Sequence, residues 1–194
     1  MVILNTNKNI ILGSKSPRRI DLIKSMGFRF QVKKLEIDES YPKGLSPLKI
    51  AIFLSKKKTK GYKINNKDIL ICADTIVYNK GRVLEKPKNK KEAKEMLVYL
   101  SGKRHFVVTG VTLKTMKKEI SFYERTLVYF KKLTIEEINF YINQYNSLDK
   151  AGAYGIQDWI GLIGIKKISG SFYNVMGLPT VKLYEELTRI IDSK

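Results

Sequence analysis

Apolar residues recur along this chain in two rhythms. Short continuous runs, Ile10-Ile11-Leu12 and Ile69-Leu70-Ile71-Cys72-Ala73, read as strands covered on both faces. Stretches with apolar residues three and four apart read as amphipathic helices. The first strand ends at Gly13-Ser14. A helix then opens with Ser16 as N-cap and Pro17 at its first position, buries Ile20, Leu22, Ile23 and Met26, and stops at Gly27. Phe30 to Leu35 reads as a strand, followed by an acidic loop carrying Glu36, Asp38 and Glu39. Ser46-Pro47 opens a helix to about Lys60, ended by Gly61.

The run at Ile69 leads straight into Asp74-Thr75 and then Ile76-Val77-Tyr78. Asn79-Lys80-Gly81-Arg82 is a turn before Val83-Leu84. Asn89 caps a helix to Leu100, closed by Ser101-Gly102. Arg104 to Lys114 and Ile120 to Phe130 predict a long hairpin around Met116 to Glu119. Thr134 with Glu137 makes a capping box for a helix to Tyr145. A Gly-rich stretch from Gly152 to Gly164 follows, and Leu178-Pro179 opens the last helix. Helices and strands that partly alternate and partly form hairpins predict an α/β (mixed α+β) fold, with a twisted mixed β-sheet flanked by helices. No repeat and no Pro/Gly/Ser linker divides the chain, so residues 1–194 are expected to form a single domain.

Composition narrows the class. The 194 residues are 43% hydrophobic and 28% charged, which excludes a disordered or fibrous chain. No apolar run approaches the roughly 18 residues of a membrane-spanning helix. Met1 to Leu12 lacks the pattern of a signal peptide, and the chain is expected in the cytoplasm. The single cysteine, Cys72, leaves no internal disulfide or cysteine-based zinc cluster. Lys and Arg total 37 against 18 Asp and Glu, a net charge of +19. Nucleic-acid binding is one reading of that excess, and a site for an anionic small molecule is another. A third is compositional bias, because 30 of the 37 are Lys, whose codons are AT-rich like those of the abundant Ile and Asn. The lysines are spread along the whole chain without a basic arm or an aromatic-basic stacking motif, so nucleic acid is not expected as a partner.

Four places could carry chemistry. Ser14-Lys15-Ser16-Pro17-Arg18-Arg19 lies between a strand and a helix start, where free N–H groups and the helix dipole favour an anion. Arg18 and Arg19 add planar donors suited to phosphate, although a plain capped helix with two solvated arginines has the same sequence. Asp74 follows five apolar residues, a costly place for a carboxylate unless it is paired, metal-bound or at a sheet end in a cleft. It could activate a water, hold a divalent metal, or be satisfied structurally by a cap or an Arg. Glu39 is a candidate second metal ligand or simply exposed. Lys86, stiffened by Pro87, and Lys58, within Lys56-Lys57-Lys58, are candidate phosphate cations against the plain reading of solvated surface. In Gly152-Ala153-Tyr154-Gly155-Ile156-Gln157, glycines allow close backbone approach, and the Gln157 amide is the kind of group that reads a base edge. His105 reads as structural or surface, and Cys72 as packing.

Together, Ser14-Lys15-Ser16-Pro17-Arg18-Arg19, Ile37-Asp38-Glu39, Ala73-Asp74-Thr75-Ile76-Val77, Leu84-Glu85-Lys86-Pro87, Ser101-Gly102, Asp149 to Gln157 and Gly177-Leu178-Pro179 resemble the Maf family in the same order, over about residues 10 to 188. The resemblance implies a Maf/ITPase-like fold with two lobes around a nucleotide cleft. It implies a nucleoside triphosphate pyrophosphatase that cleaves between the α- and β-phosphates with a divalent metal, Mg²⁺ or Mn²⁺, in a family first named for inhibiting septum formation. Asp74 falls on the proton acceptor, and Arg18, Thr75 and Gln157 on specificity positions. The Asp-Thr and Tyr-Gly-Ile-Gln forms resemble the branch acting on dTTP and UTP, with the 7-methyl-GTP branch as the alternative. In this scheme Arg18, Arg19, Lys58, Lys86 and the Ser14 to Ser16 loop hold the triphosphate, Asp74 with Glu39 holds the metal, and Thr75 and Gln157 bond the base. A homodimer fits the resemblance, and a contact-only regulator of division is the third class. Lys15 and Asp158-Trp159 depart from the family pattern and bear on phosphate binding and the base pocket respectively.

Overall fold

A computed structural model describes residues 6–192. Met1 to Asn5, the first part of the Met1 to Leu12 stretch expected to lack a signal peptide, lie outside the described residues. Among the described residues the chain forms seven strands and seven α-helices, most of them where the apolar pattern predicts: β1 (Asn9–Leu12), α1 (Pro17–Ser25), β2 (Phe30–Val32), α2 (Pro47–Lys58), β3 (Asp68–Asn79), β4 (Arg82–Leu84), α3 (Lys90–Leu100), β5 (Arg104–Lys114), β6 (Glu119–Phe130), α4 (Ile135–Gln144), α5 (Trp159–Gly164), β7 (Ile165–Ser169), α6 (Phe172–Met176) and α7 (Thr180–Asp192). The strands hydrogen-bond in the order β2-β1-β3-β5-β6-β7, and β4 pairs with β3. β1 is parallel to both β2 and β3, whereas β4 and β7 pair antiparallel, so the sheet is mixed. Among the described residues, no helix is long and apolar enough to cross a membrane.

Four details differ from the expected elements. The strand expected over Phe30 to Leu35 stops at Val32, where Gln31 and Val32 are already exposed and offer no buried face. The second helix ends at Lys58, and a 3₁₀ turn, Thr59–Gly61, completes it. β3 does not end before Asp74 but runs on to Asn79, because Thr75 to Tyr78 are β-branched or aromatic. Lys80 and Gly81, both at positive φ, then form the two-residue turn into β4. The helices α5 and α6 and the strand β7 arise in a region whose apolar pattern is too short to announce them.

The chain divides into two compact units. The first comprises the described residues up to Asp74, Thr109–Glu124 and the stretch from Gly177; the second comprises Thr75–Val108 and Arg125–Met176. In the first unit, Ile11, Leu70 and Cys72 form a core with Leu35, Tyr62 and Ile64 against it. α2 packs on β5 at Gly110, where a Cβ would lie 2.5 Å from the Ala51 carbonyl carbon, so only glycine fits that crossing. The second unit has its own core, built from Val77 and Leu84, the inward faces of α3 and α4, Val107 and Val128, and Ala153, Tyr154 and Ile160.

Candidate active site

The phosphate-type residues of the first unit meet at the carboxyl end of its parallel strands. β1 ends at Leu12, opposite Ile71 of β3. Gly13 N–H donates to the Ile71 carbonyl at 2.8 Å, which keeps the outgoing chain on the sheet for one more residue. A side chain at Gly13 would collide with Leu35 and the Cys72 sulfur, at 2.6 and 2.7 Å from its Cβ. Ser14 and Ser16 then turn the chain into α1, and Ser14 Oγ accepts from Ser16 N–H at 3.2 Å. Ser16 stands at the N-cap position with extended backbone, but its side chain makes no capping bond. The start of this nine-residue helix is therefore not capped by the Ser16 side chain, and the dipole at a helix N-terminus favours an anion. Lys15 is exposed beside them, and Arg18 is half-buried.

Asp74 is 8% exposed, three residues beyond the Ile71 pairing with Leu12. It is mid-strand in β3 yet past the end of the parallel pairing, which reconciles its position with ligand sites at carboxyl ends. Lys58, the last residue of α2, places Nζ 2.5 Å from Asp74 Oδ1 and 2.9 Å from Glu39 Oε1. The lysine run is therefore not one solvated face. Lys56 pairs with Glu119 at 2.9 Å, Lys57 with Asp38 at 3.0 Å, and Lys58 with Asp74. Asp38 also accepts bonds from Ser40, which together with Lys57 hold its carboxyl down at about 2. These contacts tie the acidic loop to α2 and set Glu39 beside Lys58.

Arg19 reaches into the same group. Its Nε donates to the Gly177 carbonyl at 2.8 Å, and Nη1 donates to the Ala73 carbonyl at 2.9 Å and to Ser14 Oγ at 3.4 Å. Burial lowers the Arg19 pKa, and Asp74 and Glu39 oppose that shift. Arg19 thus fixes α1, the loop and the backbone beside Asp74 in one arrangement, and it explains why Gly177-Leu178-Pro179 belongs with the other motifs. Cys72 is fully buried, and burial pushes its thiol up to about 12, so it packs and does not serve as a nucleophile.

Thr75, Lys86 and Gln157 belong to the second unit. Thr75 is half-buried and directly follows Asp74, whereas Lys86 and Gln157 are exposed. The loop that carries Gln157 is heavily constrained. Gly152 has φ +69 and lies against Val77, where a Cβ would be 3.0 Å from Cγ1, and its N–H donates to the Glu85 carbonyl at 3.2 Å. Ala153 also has a positive φ, 64, uncommon for a residue with a side chain. Tyr154 OH lies 2.7 Å from His105 Nε2, and Phe130 meets both rings edge-on. His105 is 1% exposed, and burial lowers it to about 4, so it is a neutral core residue, as expected of a structural histidine.

Sequence reasoning passed over the support of this loop. Tyr141 OH donates to Asp158 Oδ2 at 2.6 Å and accepts from Gly155 N–H at 3.1 Å. Lys150, 8% exposed, reaches Asp149 at 2.9 Å, Asp158 at 3.4 Å and the Asn146 carbonyl. Trp159 packs edge-on against Phe140 with centroids 4.7 Å apart. A polar residue pointing inward from α4, in the otherwise apolar register of Ile138 and Ile142, was the available signal for Tyr141.

Among the described residues, no group of three or more His, Cys, Asp or Glu side chains could hold a metal. Asp74 and Glu39 nevertheless converge on one cation, the Lys58 ammonium. Two carboxylates completed by water and substrate phosphates suit Mg²⁺, which seldom uses an all-protein cage.

An anion-ready helix start beside a lysine-bridged carboxylate pair, on a mixed α/β sheet, is the layout of a phosphate-handling enzyme. The chain belongs to the Maf family: the family described as "Maf-like protein" matches residues 9–190. It is 47% identical over 187 residues to a dTTP/UTP pyrophosphatase of Cytophaga hutchinsonii, covering 96% of this chain and 86% of that protein. It is 48% identical over 184 residues to a dTTP/UTP pyrophosphatase of Bacteroides thetaiotaomicron, covering 93% of this chain and 95% of that protein. Among solved structures it is similar to the Staphylococcus aureus Ham1 protein, with a TM-score of 0.48 and 15% identity over 92% of this chain and 100% of that one.

Proposed function

We propose that this protein is a nucleoside triphosphate pyrophosphatase that hydrolyses dTTP and UTP to the monophosphate and pyrophosphate. The observation that carries the reading is the pairing of Asp74 with Lys58 beside the uncapped start of α1, in a chain nearly half identical to dTTP/UTP pyrophosphatases. Lys58 holds Asp74 Oδ1, so Oδ2 is the oxygen that takes a proton from the attacking water. The water oxygen bonds to the α-phosphorus, the bridging bond breaks, and pyrophosphate leaves with the bonding electrons. The loop N–H groups, Arg18 and Lys86 bind phosphate oxygens, and Lys58 shifts part of its bonding to them. Arg19 holds the loop in the geometry that binding needs. Positioning and charge stabilisation supply most of the rate. Asp74 and Glu39 would hold a divalent cation, Mg²⁺ or Mn²⁺, which when bound draws charge from the phosphates. Thr75 and Gln157 read the base.

The whole chain acts as one functional domain in this reading, in the cytoplasm and as a homodimer. Nucleic acid is not expected as a partner, and the matching of Lys56, Lys57 and Lys58 each to a carboxylate rather than in one basic stripe supports that reading. The test is pyrophosphate release from a panel of canonical and modified nucleoside triphosphates with Mg²⁺ or Mn²⁺. Release from dTTP and UTP, absent in Asp74→Asn, is the expected result. Release from a methylated purine alone would move the protein to the 7-methyl-GTP branch. No release from any nucleotide by the folded protein would overturn the reaction.

A further inference from the structure

Gln157 is exposed, and its side-chain amide is oriented by a neighbour that tolerates only one orientation. Gln157 Nε2 lies 2.9 Å from Asp158 Oδ1. An ionised carboxylate only accepts hydrogen bonds, so the amide must turn its NH₂ toward Asp158. The carbonyl oxygen is then the end of the amide offered to a ligand. Asp158 is itself fixed. Tyr141 OH donates to its other oxygen at 2.6 Å, and the Lys150 ammonium is 3.4 Å from the same atom. Tyr141 remains a donor, since burial and the bond to Asp158 both raise its pKa. Gly155 lets the pair close up: a Cβ there would lie 2.6 Å from Asp158 Oδ2 and 2.7 Å from Gln157 Nε2.

We infer that Asp158 is a positioning residue that selects uracil and thymine over cytosine by locking Gln157 with its carbonyl outward. The inference rests on the proposed base-reading role of Gln157 and gives that role a mechanism. Uracil and thymine present a donor at N3–H, which an outward carbonyl accepts. Cytosine presents an unprotonated N3, which meets the same carbonyl as acceptor against acceptor. A mismatch of this kind leaves polar groups unpaired and discriminates strongly. The departure from a Gly-rich sequence at Asp158 is thereby part of base selection.

Asp158→Asn tests this, because it changes donor and acceptor with little change of shape. Tyr141 and Lys150 both donate toward one side, so the Asn oxygen turns to them and its NH₂ faces Gln157. Gln157 must then flip, presenting its own NH₂ to the base. The expected result is a fall of about tenfold or more in the kcat/KM ratio of UTP over CTP, with kcat/KM for CTP rising in absolute terms. A general structural lesion would lower activity on UTP and CTP together, and the double variant with Gln157→Ala separates a loosened loop from a flipped amide. Gln157→Ala combined with Asp158→Asn should abolish the gain, and Tyr141→Phe should cost stability but leave the ratio unchanged. An equal loss on all nucleotides in a folded Asp158→Asn would overturn the inference while leaving the reaction standing.

Calorimetric binding of UMP and CMP by the unaltered protein makes the same comparison without turnover or a variant. UMP is expected to bind about tenfold or more tightly. Equal affinity would overturn the inference. Preference for UMP without hydrolysis of any triphosphate would support the inference and overturn the reaction.

Discussion

The cluster around Asp74 and the loop around Gln157 are built by different means. Around Asp74, full charges meet within 3 Å: Lys58 touches two carboxylates, and Arg19 ties the adjoining backbone together. Around Gln157, the backbone takes left-handed turns, aromatic rings pack edge-on, and a single carboxylate sets an amide. Charge placed this tightly suits a reaction that moves charge between phosphate oxygens and a water. Directional bonds on a stiff loop suit a choice between bases that differ in where they carry a proton. Damage to the first region should therefore lower the rate for every nucleotide, and damage to the second should change their order.

The sharpest way to break that contrast is Asp74→Asn. The amide keeps the shape but cannot take the proton from water. The expected loss is about 10²- to 10⁴-fold in kcat for all nucleotides in the same proportion. Asn retains an oxygen toward Lys58, so the melting temperature should stay close to that of the unaltered protein. Activity within a few-fold of the original would remove Asp74 from the reaction. A loss confined to some bases would dissolve the division between the two regions.

The second region has a pH dependence of its own. Burial lowers His105 from 6.5 to about 4 in the folded state. Between those values the unfolded chain binds the proton that the folded chain refuses, so stability rises with pH across this window. The contribution is complete above about 6.5 and is lost as pH falls toward 4, and it amounts to about 3 kcal/mol. Asp38, whose carboxyl is held at about 2, loses its own contribution at lower pH. Urea unfolding at pH 7.0 and 4.5 should show this drop, and His105→Gln should largely remove it. An undiminished drop in the variant would assign the pH dependence to other groups.

Lys58→Gln probes the first region more gently. It removes the ammonium between Asp74 and Glu39 and leaves two carboxylates without their shared cation. The expected loss in kcat is about 10²-fold, shared by dTTP and UTP, as for removal of one electrostatic donor. A metal bound by Asp74 and Glu39 should gain affinity in this variant, because it no longer competes with the lysine. Unchanged kcat and unchanged metal dependence would show that the lysine only fastens α2 to β3.

The two regions also differed in how far the amino-acid order exposed them. The first was open to reading because its parts are local: a strand that ends at Gly13, a Pro at the start of α1, and an acid after an apolar run. The extent of β3 was not, since Thr75 to Tyr78 suit a strand and Asp74 gave no reason to continue one. The partners of Lys58 were also hidden, because three adjacent lysines reach four carboxylates in three distant segments. In the second region Gln157 was visible within its motif. Its hydrogen bond to Asp158, and the support Asp158 takes from Tyr141 and Lys150, depend on the fold bringing α4 under the loop. Short α5 and β7 escaped notice because neither is long enough to establish a period.

Gln157→Ala is the mildest change and tests the contrast from the other side. The side chain is exposed, so its removal should scarcely alter stability. Asp158 keeps its bonds to Tyr141 and Lys150, so the loop retains its support. What disappears is the group proposed to meet the base edge. The ratio of kcat/KM for UTP over CTP should fall about tenfold, mainly through KM for UTP, while kcat for dTTP changes by less than that factor. An unaltered ranking would take base reading away from Gln157. An equal fall in kcat for every nucleotide would instead join this loop to the charge-handling machinery around Asp74, and rate and base choice would no longer belong to separate regions.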